Sequence, residues 1–92
     1  DLARLAETAV GPGERRAVLA MVRRTDRASG TAAEDVRFAR LWLAAAEVAL
    51  AEGEASPARV WLGRAETRFP RQLEEDGRRS RRDALRRALG GA

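Results

Sequence analysis

The stretch Ala39–Gln72, ARLWLAAAEVALAEGEASPARVWLGRAETRFPRQ, decides the fold of this chain. Apolar residues recur at helical spacing on two arms, first Trp42, Ala45, Ala46 and Ala49, then Ala58, Trp61, Leu62, Ala65 and Phe69. Between the arms, Gly53 is a usual helix stop, and Ser56-Pro57 offers an N-cap oxygen followed by a first helical residue. Pro70 ends the second arm. The pattern therefore predicts a helical hairpin, two helices joined by a short turn.

This hairpin resembles a tetratricopeptide repeat, a helix pair of about 34 residues that stacks on its neighbours. The residues that carry the resemblance are Trp42, Ala45, Ala46, Ala49, Gly53, Ala58, Leu62, Ala65 and Pro70. Some positions depart from the family pattern, because Ala46 stands where Gly is usual and Ala49 where Tyr is usual. The alternative is an unrelated antiparallel helix pair.

The resemblance implies a binding surface, because the first helix of such a unit lines a concave groove that holds peptides. The groove-facing residues would be Arg40, Leu43, Glu47 and Leu50. Trp61 belongs either to the core or to a contact with a neighbouring element, since Trp is enriched among binding hot spots. These five residues form the predicted partner-binding set. The partner would be another protein or peptide, a neighbouring repeat, or a second copy of the chain.

The rest of the chain also has helical spacing. The further predicted helices are Asp1–Val10, Glu14 to about Ala28, Ala32 to about Glu52, and a last helix from about Arg78–Arg81 to Gly90. Gly11-Pro12-Gly13 is interpreted as a turn, and Thr31-x-x-Glu34 as a capping box. We expect an all-α fold of four to five helices in consecutive antiparallel hairpins, tetratricopeptide-like in arrangement.

With 92 residues, the chain is expected to form one small domain. Its parts would be a first hairpin over 1–28, the tetratricopeptide-like hairpin over 32–70, and a basic capping helix or tail over 71–92. Ala65 should be small because the two arms approach closely. Ala65→Leu is therefore expected to destabilise the fold, whereas Arg82→Ala in a solvated tail is not.

Composition argues against an enzyme. The chain has no Cys and no His, so it lacks thiolate ligands and the usual general base, and we expect no cofactor and no metal site. Glu74-Glu75-Asp76 lacks the spacing of a calcium loop and is interpreted as a solvated acidic turn. All 18 basic residues are Arg, and Lys, Asn, Tyr and Ile are absent, which indicates a GC-rich genome.

The first residue is Asp1 and not Met, which suggests a piece of a longer protein or a processed chain. No apolar run approaches the 18 or so residues of a membrane span, and no secretory signal pattern is present. The compartment stays undetermined, with a slight preference for the cytoplasm.

The segment from Arg71 to Ala92 is the basic part, with seven Arg against four acidic residues. A nucleic-acid-binding element is therefore the alternative function, and its residues would be Arg78, Arg79, Arg81, Arg82, Arg86 and Arg87. A membrane contact through Leu85 and Leu89 is a weaker third option. The preferred function is a non-enzymatic protein-protein interaction or scaffold module, part of a larger protein or assembly.

Overall fold

A computed structural model of the chain describes residues 2–28 and 36–90. Within these two ranges the chain forms five α-helices and no strand, which confirms the predicted all-α fold class. The helices are α1 (Leu2–Thr8), α2 (Pro12–Ala28), α3 (Val36–Ala51), α4 (Ala55–Arg68) and α5 (Asp76–Gly90), with a 3₁₀ turn at Gln72–Glu74. The predicted capping box at Thr31-x-x-Glu34 lies outside the described residues.

Gly53 ends α3 as the sequence predicts. Its φ of 78° lies in the left-handed region, where a side chain is strained and glycine is not. The N–H of Gly53 donates to the carbonyl of Leu50 at 3.0 Å, and the N–H of Glu54 donates to that of Ala49 at 2.8 Å. These two bonds form a Schellman motif, which satisfies carbonyls at the helix end and turns the chain directly into α4.

Three helices begin earlier than predicted. Helix α2 begins at Pro12 and not at Glu14, because proline suits the first helical position. Ser56 is not the N-cap of α4: Glu54 holds that position, without a side-chain cap bond, and the helix begins at Ala55. Pro57 then lies in the first turn, where its missing N–H has no intrahelical acceptor to lose. Helix α5 begins at Asp76 and not near Arg78–Arg81.

The core is built around α3, which contacts α1, α2, α4 and α5. Its buried residues follow one another without a break from Leu41 to Ala46, so the helix is covered on all sides. Trp42 is fully buried, as predicted, and the guanidinium of Arg64 lies 5.0 Å from the centre of its ring. On α4 the buried residues are Ala58, Trp61, Leu62 and Ala65. Small alanines on both helices allow the close approach that the sequence predicts.

The C-terminal segment is packed onto this core. Leu73, Leu85 and Leu89 are buried, and α5 contacts both α3 and α4. The idea that Leu85 and Leu89 touch a membrane is therefore wrong for this conformation, since both side chains are covered by the chain itself. Arg82 is also less solvated than predicted, with a side chain only 18% exposed.

Candidate partner-binding surface

The predicted groove residues on α3 are covered by the chain's own helices. Leu43 is fully buried, and Leu50 is half-buried and packs against the core. Arg40 and Glu47, the polar members, are both engaged in ion pairs. Trp61 on α4 is buried as well, so of its two predicted roles the structure places it in the core.

Four charged side chains join α1, α3 and α5 across this face. Arg40 on α3 donates to both carboxylate oxygens of Glu7 on α1, from Nε at 2.9 and 3.0 Å and from Nη2 at 2.5 Å. Arg81 on α5 donates to Glu47 on α3 through Nε at 3.1 Å and Nη2 at 2.7 Å. The remaining nitrogen of Arg81, Nη1, reaches Glu7 at 3.0 Å. We call these four residues the α3 clasp.

Charge in the α3 clasp shifts the pKa values of Glu7, Arg40 and Arg81. Hydrogen bonding from Arg40, supported by the positive charges of Arg81 and Arg40, holds the pKa of Glu7 below its ordinary value, although desolvation opposes this. The hydrogen bond to Glu47 raises the pKa of Arg81, and the bond to Glu7 raises that of Arg40. Glu7, Arg40 and Arg81 are therefore ionised at neutral pH.

Partner binding by the predicted residues stays a prediction. The α3 clasp restricts the access of a partner to these residues. A peptide reaches Leu43 only if α1 or α5 moves away from α3. The sequence carried one signal of this arrangement. Arg40 and Glu47 are oppositely charged residues two turns apart on a helix whose only other charged residue is Arg37, and a charge on a largely apolar helix indicates a partner of opposite charge.

Most of the arginines proposed for nucleic-acid binding are occupied. Ion pairs within the chain join Arg78 to Glu75, Arg79 to Glu74, Arg81 to Glu7 and Glu47, Arg82 to Asp83 and Glu74, and Arg86 to Glu66. Only Arg87 of the six makes no ion pair within the described part of the chain. Phosphates would have to displace these carboxylates, so the nucleic-acid alternative, which nothing here tests, has less support from the geometry.

An uncovered apolar surface lies elsewhere, on α4. Val60 is 56% exposed, on the side of the helix away from the residues that pack on α3. Gly63 is one turn further along, at the edge of that side, where it lines a groove with Arg86 and Leu89 of α5. No neighbouring described atom lies within 4 Å of where its Cβ would stand. Sequence analysis missed this surface. Its signal was available, because Val60 falls outside the apolar stripe that forms the core.

A groove follows at the C-terminal end of α4. It is lined by Thr67, Arg68, Phe69, Pro70, Arg71 and Gln72. Helical spacing places Thr67 on the same face as Val60 and Gly63, about 10 Å beyond Val60. The exposed face of α4 and this groove are therefore continuous.

Comparisons with known proteins give no identity: no family model matches the chain, and no curated protein or solved structure is significantly similar to it. Across residues 2–28 and 36–90, no group of three acidic, Cys or His side chains is placed to hold a metal ion. None of the helices in those ranges combines the length and apolar character needed to cross a membrane.

Proposed function

We propose that this chain is a non-enzymatic protein-interaction module of tetratricopeptide-like type, and that it binds a helix of another protein along the exposed face of α4. The observation that carries the proposal is the pairing of Val60 with Gly63 on that face. Val60 contributes exposed apolar area to this surface, and Gly63 contributes open space.

Val60 supplies apolar area that the chain leaves in water. Fully burying a valine side chain is worth roughly 1.5 to 3 kcal/mol, and more than half of that area is still exposed here. Single exposed apolar residues are common on protein surfaces. Val60 by itself is therefore not a binding site, and the proposed surface includes its neighbour Gly63.

Gly63 adds open space, because no described residue packs where its side chain would stand. A glycine in a helix interior costs about 0.5 to 1 kcal/mol relative to alanine. That cost is usually offset by a close approach, yet the space where a Cβ would stand is open in this chain. A helix from outside would use that space, since small residues at a contact allow helix axes to come near the lower end of their 8 to 10 Å range.

The tetratricopeptide-like part of the proposal has its own support. The resemblance requires the helices to meet through Trp42, Ala45, Ala49, Leu62 and Ala65, and all five are buried. An unrelated antiparallel pair with the same spacing would bury them too. The resemblance therefore stays a proposal, and the partner helix would be a target segment of another protein.

Site-specific photo-crosslinking tests the proposal. A photoreactive side chain at Val60 should capture a partner in cells that produce the chain, while the same group at Ala84, exposed on α5, should not. The captured protein is then purified and titrated against the wild-type chain and Val60→Glu, with Ala84→Glu as the matched control. We expect Val60→Glu to weaken binding by at least about tenfold while helix content is unchanged. Equal affinities for the two variants would contradict the proposal.

A further inference from the structure

We propose that the groove formed by Thr67–Gln72 binds a carboxylate side chain of the partner's contacting segment. The inference rests on the proposed function, because the carboxylate would belong to one end of the partner helix that lies on α4. Three observations carry it: two exposed arginines that make no ion pair within the described residues, a shielded amide oxygen that has no donor there, and nearby acidic side chains that are already paired.

Half of the 18 arginines in the chain are matched with its own carboxylates. Nine of them form ion pairs within the described residues: Arg15, Arg16, Arg23, Arg40, Arg78, Arg79, Arg81, Arg82 and Arg86. Arg68 and Arg71 line one groove, are exposed, and make no ion pair within that part of the chain. A planar guanidinium binds a carboxylate through two parallel hydrogen bonds, so two of them beside one groove select that group.

Gln72 adds a polar atom that the fold leaves unused. Its Oε1 is shielded from water and has no hydrogen-bond donor, although the residue lines the groove. A shielded acceptor without a partner costs free energy, so a donor is expected there. Because Oε1 is shielded, a donor from outside reaches it only when the Gln72 side chain turns into the groove. A protein segment supplies such a donor, since it brings a backbone N–H beside each acidic side chain.

The end of a helix normally repels anions, because its last carbonyls are free. Here the turn occupies the carbonyl of Ala65, one of the last four of α4, and that of Phe69 just beyond the helix. The N–H of Phe69 donates to the carbonyl of Ala65 at 2.9 Å, and the N–H of Leu73 donates to that of Phe69 at 3.2 Å. The nearby acidic side chains are also engaged, since Glu66 pairs with Arg86 and Glu74 with Arg79. The groove is therefore left with a net positive charge.

An NMR titration of the whole chain, monitored through its backbone amide resonances, tests the inference. The probe is the capped dipeptide N-acetyl-Glu-Glu-amide, with N-acetyl-Gln-Gln-amide and inorganic phosphate as comparisons at equal ionic strength. We expect the Glu peptide to shift the amides of residues 67–72 in a saturable manner, and the Gln peptide to leave them unchanged. The double variant Arg68→Gln/Arg71→Gln should weaken binding by about tenfold, because each exposed ion pair contributes up to about a factor of five.

The matched control is Arg24→Gln, which removes from α2 an exposed arginine that forms no ion pair with any described residue. It should bind the Glu peptide as the wild type does. Equal shifts with both peptides, tighter binding of phosphate than of the Glu peptide, or an unaffected double variant would each overturn the inference. The outcome is separable from the proposed function. If Val60→Glu weakens the captured partner and the double variant does not, the docking face stands and the carboxylate site is wrong.

Discussion

The α3–α4 hairpin and its flanking helices α1 and α5 are held in different ways. The hairpin closes through fully buried side chains, among them Trp42 and Ala45 on α3 and Ala58 and Ala65 on α4. The flanks combine an apolar edge, such as Leu85 and Leu89 on α5, with the α3 clasp of Arg40, Glu7, Arg81 and Glu47. The stability of the α3–α4 hairpin thus depends mainly on packing, whereas the attachment of α1 and α5 also depends on charge.

This difference predicts an order of loosening. Apolar packing responds little to salt or to moderate acid, whereas partly exposed ion pairs contribute about 0 to 1 kcal/mol each and are screened by salt. The flanks should therefore open before the hairpin unfolds. Because α1 and α5 cover Leu43, such opening would uncover the groove face that sequence analysis assigned to partner binding.

The largest expected effect comes from Trp42→Ala. Removing a fully buried Trp costs about 3 to 5 kcal/mol, and a domain of this size has roughly 5 to 15 kcal/mol of unfolding free energy. Denaturant titration followed by circular dichroism should show a midpoint far below that of the wild type. Trp42→Phe keeps an aromatic ring at the site and should lose less. If Trp42→Ala lowered the midpoint no more than Arg87→Ala does, the hairpin would not be the stabilising centre.

A smaller loss is expected from Ala65→Leu. The larger side chain overpacks the contact between α3 and α4, at a cost of about 1 to 3 kcal/mol. Ala84→Leu makes the same change at an exposed position of α5 and should stay within about 0.5 kcal/mol. Thermal melts of the two variants give the comparison. Melting temperatures that agree with each other would mean that Ala65 is not confined by a neighbouring helix.

The smallest effect, and the one specific to the flanks, comes from Glu7→Gln. Because the pKa of Glu7 is lowered in the fold, ionised Glu7 adds stability that is fully present above its ordinary pKa of 4.5. That contribution is lost as pH falls through the lowered pKa. We expect the variant to melt about 2 to 5 °C below the wild type at pH 7, with the gap closing in acid.

Glu14→Gln serves as the matched control, since Glu14 is exposed and makes no ion pair within the described residues. Its melting temperature should follow the wild type at every pH. Hydrogen exchange at neutral pH should also show faster exchange in α1 for Glu7→Gln, with α4 unchanged. A gap between Glu7→Gln and wild type that stays constant down to pH 2 would contradict the role given to ionised Glu7.

The sequence predicted correctly the features that depend on the spacing of residues within one helix or turn. It did not predict the features that depend on contacts between different elements. Gly53 and Trp42 were predicted correctly because a left-handed turn residue and a central apolar position depend on local sequence. Ser56 was assigned as a cap because the Schellman motif that starts α4 two residues earlier was not anticipated. The prediction of Arg82 as a solvated control failed because its partner Glu74 lies in the 3₁₀ turn, and the way this turn meets α5 decides whether the two side chains pair. Its other partner, Asp83, is its neighbour in the sequence.

By itself, the sequence determined the all-α class, the helix pair around Gly53, and the residues that form its core. The reason is physical: helix formation and the choice of buried face follow from residues three and four positions apart. Only the tertiary structure decided which charges meet, that α1 and α5 cover the α3 face, and that Val60 and Gly63 stay open. Those outcomes depend on contacts between residues such as Glu7 and Arg81, which are 74 positions apart.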